Sequence, residues 1–176
     1  CGTRIGETLG IRKKDIDLES GIIRLTETKN RKERYVTMGG ELLALARRFA
    51  DRTFYQIADD EYVFRNKNGG GLKYDTIKHI HREILAMAGI PFVGNSHGPR
   101  IHDWRHTFAI RSFKHMSDNG TDMYVALPIL STYLGHGTIM ATEHYLRLTL
   151  EMFPEIEEKM GKTAEKVFGG VVYEDN

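Results

Sequence analysis

A single cysteine, Cys1, in 176 residues excludes an internal disulfide and a zinc ribbon or zinc finger. No apolar run approaches the ~20 residues of a membrane-spanning helix. The opening Cys1-Gly2-Thr3-Arg4 lacks the basic-then-apolar pattern of a secretory signal. Internal repeats and low-complexity tracts are missing too. Charge of one sign is not in excess, since the formal net charge is +1. That average hides an asymmetry. Residues 151–176 carry three Lys/Arg against seven Asp/Glu, a net of −4, while residues 1–150 carry 22 against 17, a net of +5. A mildly basic body with an acidic tail is compatible with a polyanionic partner. What remains is an ordinary globular composition, 40% apolar and 28% charged, long enough for one domain with a substantial core.

Periodicity divides the chain into a short strand-rich part and a long helical part. Gly6 to Lys13 reads as a short helix. Ile16 and Leu18 alternate with polar residues, Glu19-Ser20-Gly21 is a turn, and Ile22–Thr26 and Arg34–Thr37 are strands. This predicts three antiparallel strands, with a last hairpin presenting Lys29, Arg31, Lys32 and Arg34. Leu42, Leu43, Leu45, Ala46, Phe49 and Ala50 then follow helical spacing, as do Ile77, Ile80, Ile84, Leu85 and Ala88. A helix is expected over 102–116, with Phe108, Ala109 and Phe113 on one side. Asp122 is a candidate cap, and Pro128 suggests that a fresh helix starts there, because proline suits a first turn. Thr138 caps a helix reaching about Arg147, and residues 151–167 read as a last polar helix. The expected class is α+β: mainly helical, with a small three-stranded antiparallel sheet near the N-terminus. Residues 1–168 are expected to form one domain that lacks its natural N-terminal part, with 169–176 as a flexible tail.

Four motifs carry chemistry: Gly2-Thr3-Arg4-Ile5-Gly6-Glu7; Thr28-Lys29-Asn30-Arg31-Lys32-Glu33-Arg34; His102-Asp103-Trp104-Arg105-His106-Thr107-Phe108-Ala109; and Leu134-Gly135-His136 followed by Thr142-Glu143-His144-Tyr145. Singly, each has a plain explanation. An Arg-x-x-Glu is usually a helical ion pair, a basic hairpin tip is usually only solvated, and a tyrosine on an amphipathic helix is usually core. Together they meet the needs of phosphoryl transfer to a protein nucleophile. Two guanidiniums, Arg4 and Arg105, can grip non-bridging oxygens and stabilise a pentacoordinate phosphorane. Tyr145 supplies an oxygen nucleophile. Lys29 on its hairpin can protonate a leaving 5′ oxygen, with Lys32 as the alternative acid. His102 and His136 can bond the phosphate or handle the phenol proton. Glu7 can orient His102 or an arginine, and His106 can donate a structural hydrogen bond behind the site.

In this order the motifs resemble the tyrosine recombinase (phage integrase) family, from Gly2 to about Arg147. The resemblance implies a catalytic domain in which Arg4, Lys29, His102, Arg105 and His136 surround a scissile phosphate. Tyr145 would form a 3′-phosphotyrosyl bond, later attacked by the 5′-hydroxyl of a partner strand. It implies no metal and no ATP, double-stranded DNA as partner, a homotetramer in the DNA synapse and a monomer as isolated domain. It also implies a bacterial, cytoplasmic, DNA-associated protein of a mobile element, and an N-terminal DNA-binding domain, expected to be missing from this sequence. Arg31, Lys32 and Arg34 would contact DNA. Departures are the 31-residue interval from Arg105 to His136, Trp104 in place of a small aliphatic residue, and Arg147 in place of a histidine.

Three other readings compete. A type IB topoisomerase shares the chemistry but acts without a partner site. A non-catalytic module would bind duplex by charge alone. A metal site on His102 and His106, at i, i+4, with His79 and His81 nearby, lacks a His-Glu-x-x-His arrangement and any thiolate cluster.

Overall fold

A computed structural model describes residues 1–26, 33–94, 97–138, 140–156 and 158. Among the described residues, six α-helices and three strands follow in the order α1 (Ile5–Leu9), β1 (Ile16–Asp17), β2 (Ile22–Leu25), β3 (Arg34–Thr37), α2 (Gly40–Thr53), α3 (Tyr74–Met87), α4 (Ile101–Asp118), α5 (Met123–Leu134) and α6 (Met140–Met152). The α+β class with one three-stranded antiparallel sheet is the one expected from the periodicity. The chain divides into two compact units, Cys1–Arg105 and His106–Asn176.

In the first unit the sheet has the order β1-β2-β3. Ile23 pairs with Ile16 on one side and Val36 on the other, and Leu25 pairs with Arg34. Alternation does the sorting: Ile23, Leu25 and Val36 are buried, while Arg24 leaves by the opposite face and donates to the buried carboxylate of Asp15 at 3.1 and 3.2 Å. The turn before β2 depends on Gly21, whose φ of +71° few other residues adopt, and its carbonyl accepts from Met38 N at 2.8 Å. Ile11, Met38, Ala50, Ile57 and Val63 complete this core. α1 is shorter than the expected Gly6–Lys13 helix: it stops at Leu9, and a 3-10 turn over Lys13–Asp15 follows. On α2, Leu42, Leu45 and Phe49 are exposed and Ala50 alone is buried.

The second unit packs Ala109 and Phe113 of α4 against Met123, Ala126, Leu130 and Leu134 of α5, with Tyr145 and Ile156. The α5 expectation needs correction. Asp122 caps the helix, accepting from Tyr124 N at 2.7 Å, so α5 begins at Met123 and Pro128 lies inside it. An interior proline forfeits one backbone bond and costs about 3 kcal/mol. Burial of Met123, Ala126, Leu130 and Leu134 along one face outweighs that loss. α6 also runs beyond Arg147, to Met152. Much of the expected last helix and the whole tail lie outside the described residues. Among the described residues, no helix is long and apolar enough to cross a membrane.

Candidate active site

In the first unit the polar site is organised by Glu7, whose side chain is 2% exposed. It sits one turn into α1, where its carboxylate reaches back to the backbone N–H of Arg4 at 2.7 Å and takes Arg4 Nη1 at 2.9 Å. Arg34, the first residue of β3, donates from Nη1 to Oε1 and from Nη2 to Oε2, each at 2.7 Å. Burial pushes this carboxyl up, but hydrogen bonds from Arg34 and from the Arg4 backbone and side chain outweigh it, and the group is held at about 2. Glu7 therefore orients an arginine pair.

Arg105 lies one turn after His102 on α4 and is 3% exposed. Its Nη1 donates to the carbonyl of Gly2 at 2.5 Å. Gly2 has a φ of +62°, open to glycine and strained for most side chains. The second arginine is thus fastened to the backbone two residues before the first. His102 is exposed, and its pKa lies below the ordinary imidazole value. Partial desolvation is the main cause, followed by the charge of Arg105; Asp103 opposes, and Arg100 and Arg4 add to the lowering. The ring is therefore mostly neutral at pH 7.

The second unit holds the phenol. Tyr145 is 4% exposed, its ring stacked on His136 with centroids 5.6 Å apart and 12° between planes. The His106 ring lies 5.0 Å from it at a tilt of 55°. His136 follows the C-terminus of α5, where Gly135 at φ +67° turns the chain and His136 N bonds Ser131 O at 3.1 Å. The buried hydroxyl of Thr142, three residues before Tyr145, bonds His136 Nδ1 at 2.6 Å. That bond fixes which imidazole nitrogen faces away from the core. Thr149 Oγ1 donates to the carbonyl of Tyr145 at 2.7 Å and anchors α6.

Arg4, Glu7, His102, Arg105 and Arg34 thus lie in the first unit, and His106, His136 and Tyr145 in the second. Lys29, Arg31 and Lys32 lie outside the described residues. Two contributors stood in the sequence only as motif letters: the Gly2 carbonyl and the Thr142 hydroxyl. A glycine two residues before the arginine and a threonine one helical turn before the tyrosine were their signals. Among the described residues, no group of three or more His, Cys, Asp or Glu side chains is placed to hold a metal ion.

The sequence profile of the phage integrase family matches residues 1–152. This chain belongs to the phage integrase family. Among integrase-family relatives, an integrase/recombinase of Sinorhizobium fredii is 31% identical over 170 residues, covering 93% of this chain and 53% of that protein. The crystal structure of XerA recombinase superposes with a TM-score of 0.65 at 26% identity, over 86% of this chain and 52% of that one. XerH recombinase, solved with its difH DNA substrate before cleavage, gives 0.62 at 25% identity, over 82% of this chain and 39% of that one. This integrase-family chain spans about half the length of the curated relatives it matches.

Proposed function

We infer that this chain is the catalytic domain of a site-specific DNA recombinase, residues 1–168, that cleaves and rejoins strands through a 3′-phosphotyrosyl bond on Tyr145. The observation that carries the reading is the fastening of Arg105 to the Gly2 carbonyl, which draws together the two arginine motifs that phosphoryl transfer requires.

The chemistry follows from the residues. Arg4 and Arg105 grip the non-bridging oxygens and stabilise charge that grows in the transition state. The phenol oxygen of Tyr145 attacks phosphorus in line, its proton passing to a neutral imidazole or to water. Its ring gives up part of its packing to do so. The P–O5′ bond breaks as the P–O(Tyr) bond forms, and Lys29 gives the departing oxygen its proton. A 5′-hydroxyl of the partner strand then reverses the step, so the phosphodiester energy is conserved and neither ATP nor a metal ion enters. His102, mostly neutral at pH 7, donates one hydrogen bond to the phosphate. The partner is double-stranded DNA, held by a tetramer of full-length protein in the synapse, and Arg31 and Lys32 contact its backbone. The setting is the cytoplasm of a bacterium. XerH with its DNA substrate is the related case that supports the choice of partner.

The test is a nicked suicide duplex presented to the full-length protein. A covalent adduct mapped to Tyr145 and abolished by Tyr145→Phe is the expected result. DNA binding with no adduct from the unsubstituted protein refutes the reading in favour of a binding module.

A further inference from the structure

We propose that Arg34 is a positioning residue for strand cleavage, acting through the carboxylate of Glu7 on the guanidinium of Arg4. The inference rests on the recombinase reading above and adds to it a residue that touches no substrate.

From the sequence, Arg34 belongs with Arg31 and Lys32 as a basic residue at the end of a hairpin, offered to DNA. In the fold its fork is turned the other way. Both terminal nitrogens bond the two oxygens of Glu7 at 2.7 Å, in the parallel arrangement that fits a guanidinium to a carboxylate. The Arg34 side chain is 12% exposed, against 25% for Arg4. Because Arg34 occupies both oxygens, the orientation of the carboxylate plane is set from β3. Glu7 then takes Arg4 twice, through its backbone N–H and through Nη1. The direction of the Arg4 guanidinium is thus transmitted from a residue 30 positions away, where β3 pairs with Leu25 to close the base of the hairpin.

Charge supports the same assignment. A buried carboxylate with one partner is costly, and a second guanidinium makes its burial tolerable. If Arg34 left for a DNA phosphate, Glu7 would keep only Arg4, and would compete with the scissile phosphate for it. The arrangement works only if Arg34 stays on Glu7 throughout the reaction. Lysine does not replace it, since one ammonium cannot align both oxygens.

The experiment uses full-length protein, the suicide duplex at saturating concentration, and the variants Arg34→Met, Arg34→Lys and Arg34→Met/Glu7→Gln. Three quantities are read: the single-turnover rate of Tyr145 adduct formation, the slope of DNA affinity against salt, and the thermal midpoint. The expected rate loss is about 10- to 100-fold in all three variants, the scale set by misorienting a catalytic group. The salt slope is expected to stay at the wild-type value. The double variant, which leaves no buried charge unmatched, recovers most of the thermal midpoint without recovering the rate. A slope that falls by about one with an unchanged saturated rate would make Arg34 a phosphate contact and overturn the proposal. Recovery of both midpoint and rate in the double variant also overturns it, leaving Arg34 a purely structural ion pair. Absence of an adduct from the unsubstituted protein overturns the recombinase reading and this inference with it, a result distinct from the other two.

Discussion

Glu7 shows how one carboxylate can be buried and yet remain charged. Its folded-state pKa of about 2 lies below the ordinary 4.5, so the charged form is favoured by folding. The sign follows directly. The stabilisation is complete above about pH 4.5 and is lost as the pH falls through about 2. Urea unfolding of the wild type and of Glu7→Gln across this range should show a stability gap that is constant at neutral pH and closes between those limits. A gap that does not change with pH would mean that the carboxylate gains nothing from its two arginines. His136 illustrates a second kind of control at this scale. Its Nδ1 is occupied by the Thr142 hydroxyl, so the chemistry of the ring is left to Nε2, and the orientation of the ring is set by a residue with no reactivity of its own.

At the scale of elements, α5 offers a direct check on helix energetics. Pro128 is exposed and sits six positions into the helix, so Pro128→Ala restores a backbone donor without disturbing the core. Urea melts should show a gain of about 2 kcal/mol, the penalty of an interior proline less the entropy it removes from the unfolded chain. A loss would mean that the packing of α5 uses the proline ring. The same helix marks where sequence reading succeeds and fails. Alternation in Ile22–Leu25 and the Gly21 turn made the sheet legible, because the period of two and the need for positive φ are local properties. The start of α5 was misread because proline is a good first-turn residue, and only the cap at Asp122 and the buried face of Met123, Ala126 and Leu130 decide against it. The apolar stripe of α2 announced a helix correctly, yet Leu42, Leu45 and Phe49 stand exposed. Periodicity reports a face and does not say what covers it. The catalytic candidates were legible because phosphate chemistry demands few residue types. The links that hold them were not: a carbonyl acceptor at Gly2 and a fork that turns Arg34 inward depend on contacts between positions 103 and 27 residues apart.

Across the whole molecule, reactive groups and their supports are distributed by chemistry. Guanidiniums and their shared carboxylate belong to Cys1–Arg105, and the phenol with its flanking imidazoles to His106–Asn176. The packing of Tyr145 has a further practical consequence. The chain has eight tyrosines, and Tyr35, Tyr55, Tyr74 and Tyr124 stand well out in solvent. A reagent that nitrates accessible phenols should mark those four quickly and spare Tyr145 in the DNA-free protein. Peptide mass spectrometry then turns Tyr145 into its own reporter: the moment at which position 145 begins to gain a nitro group records when its ring leaves the imidazoles.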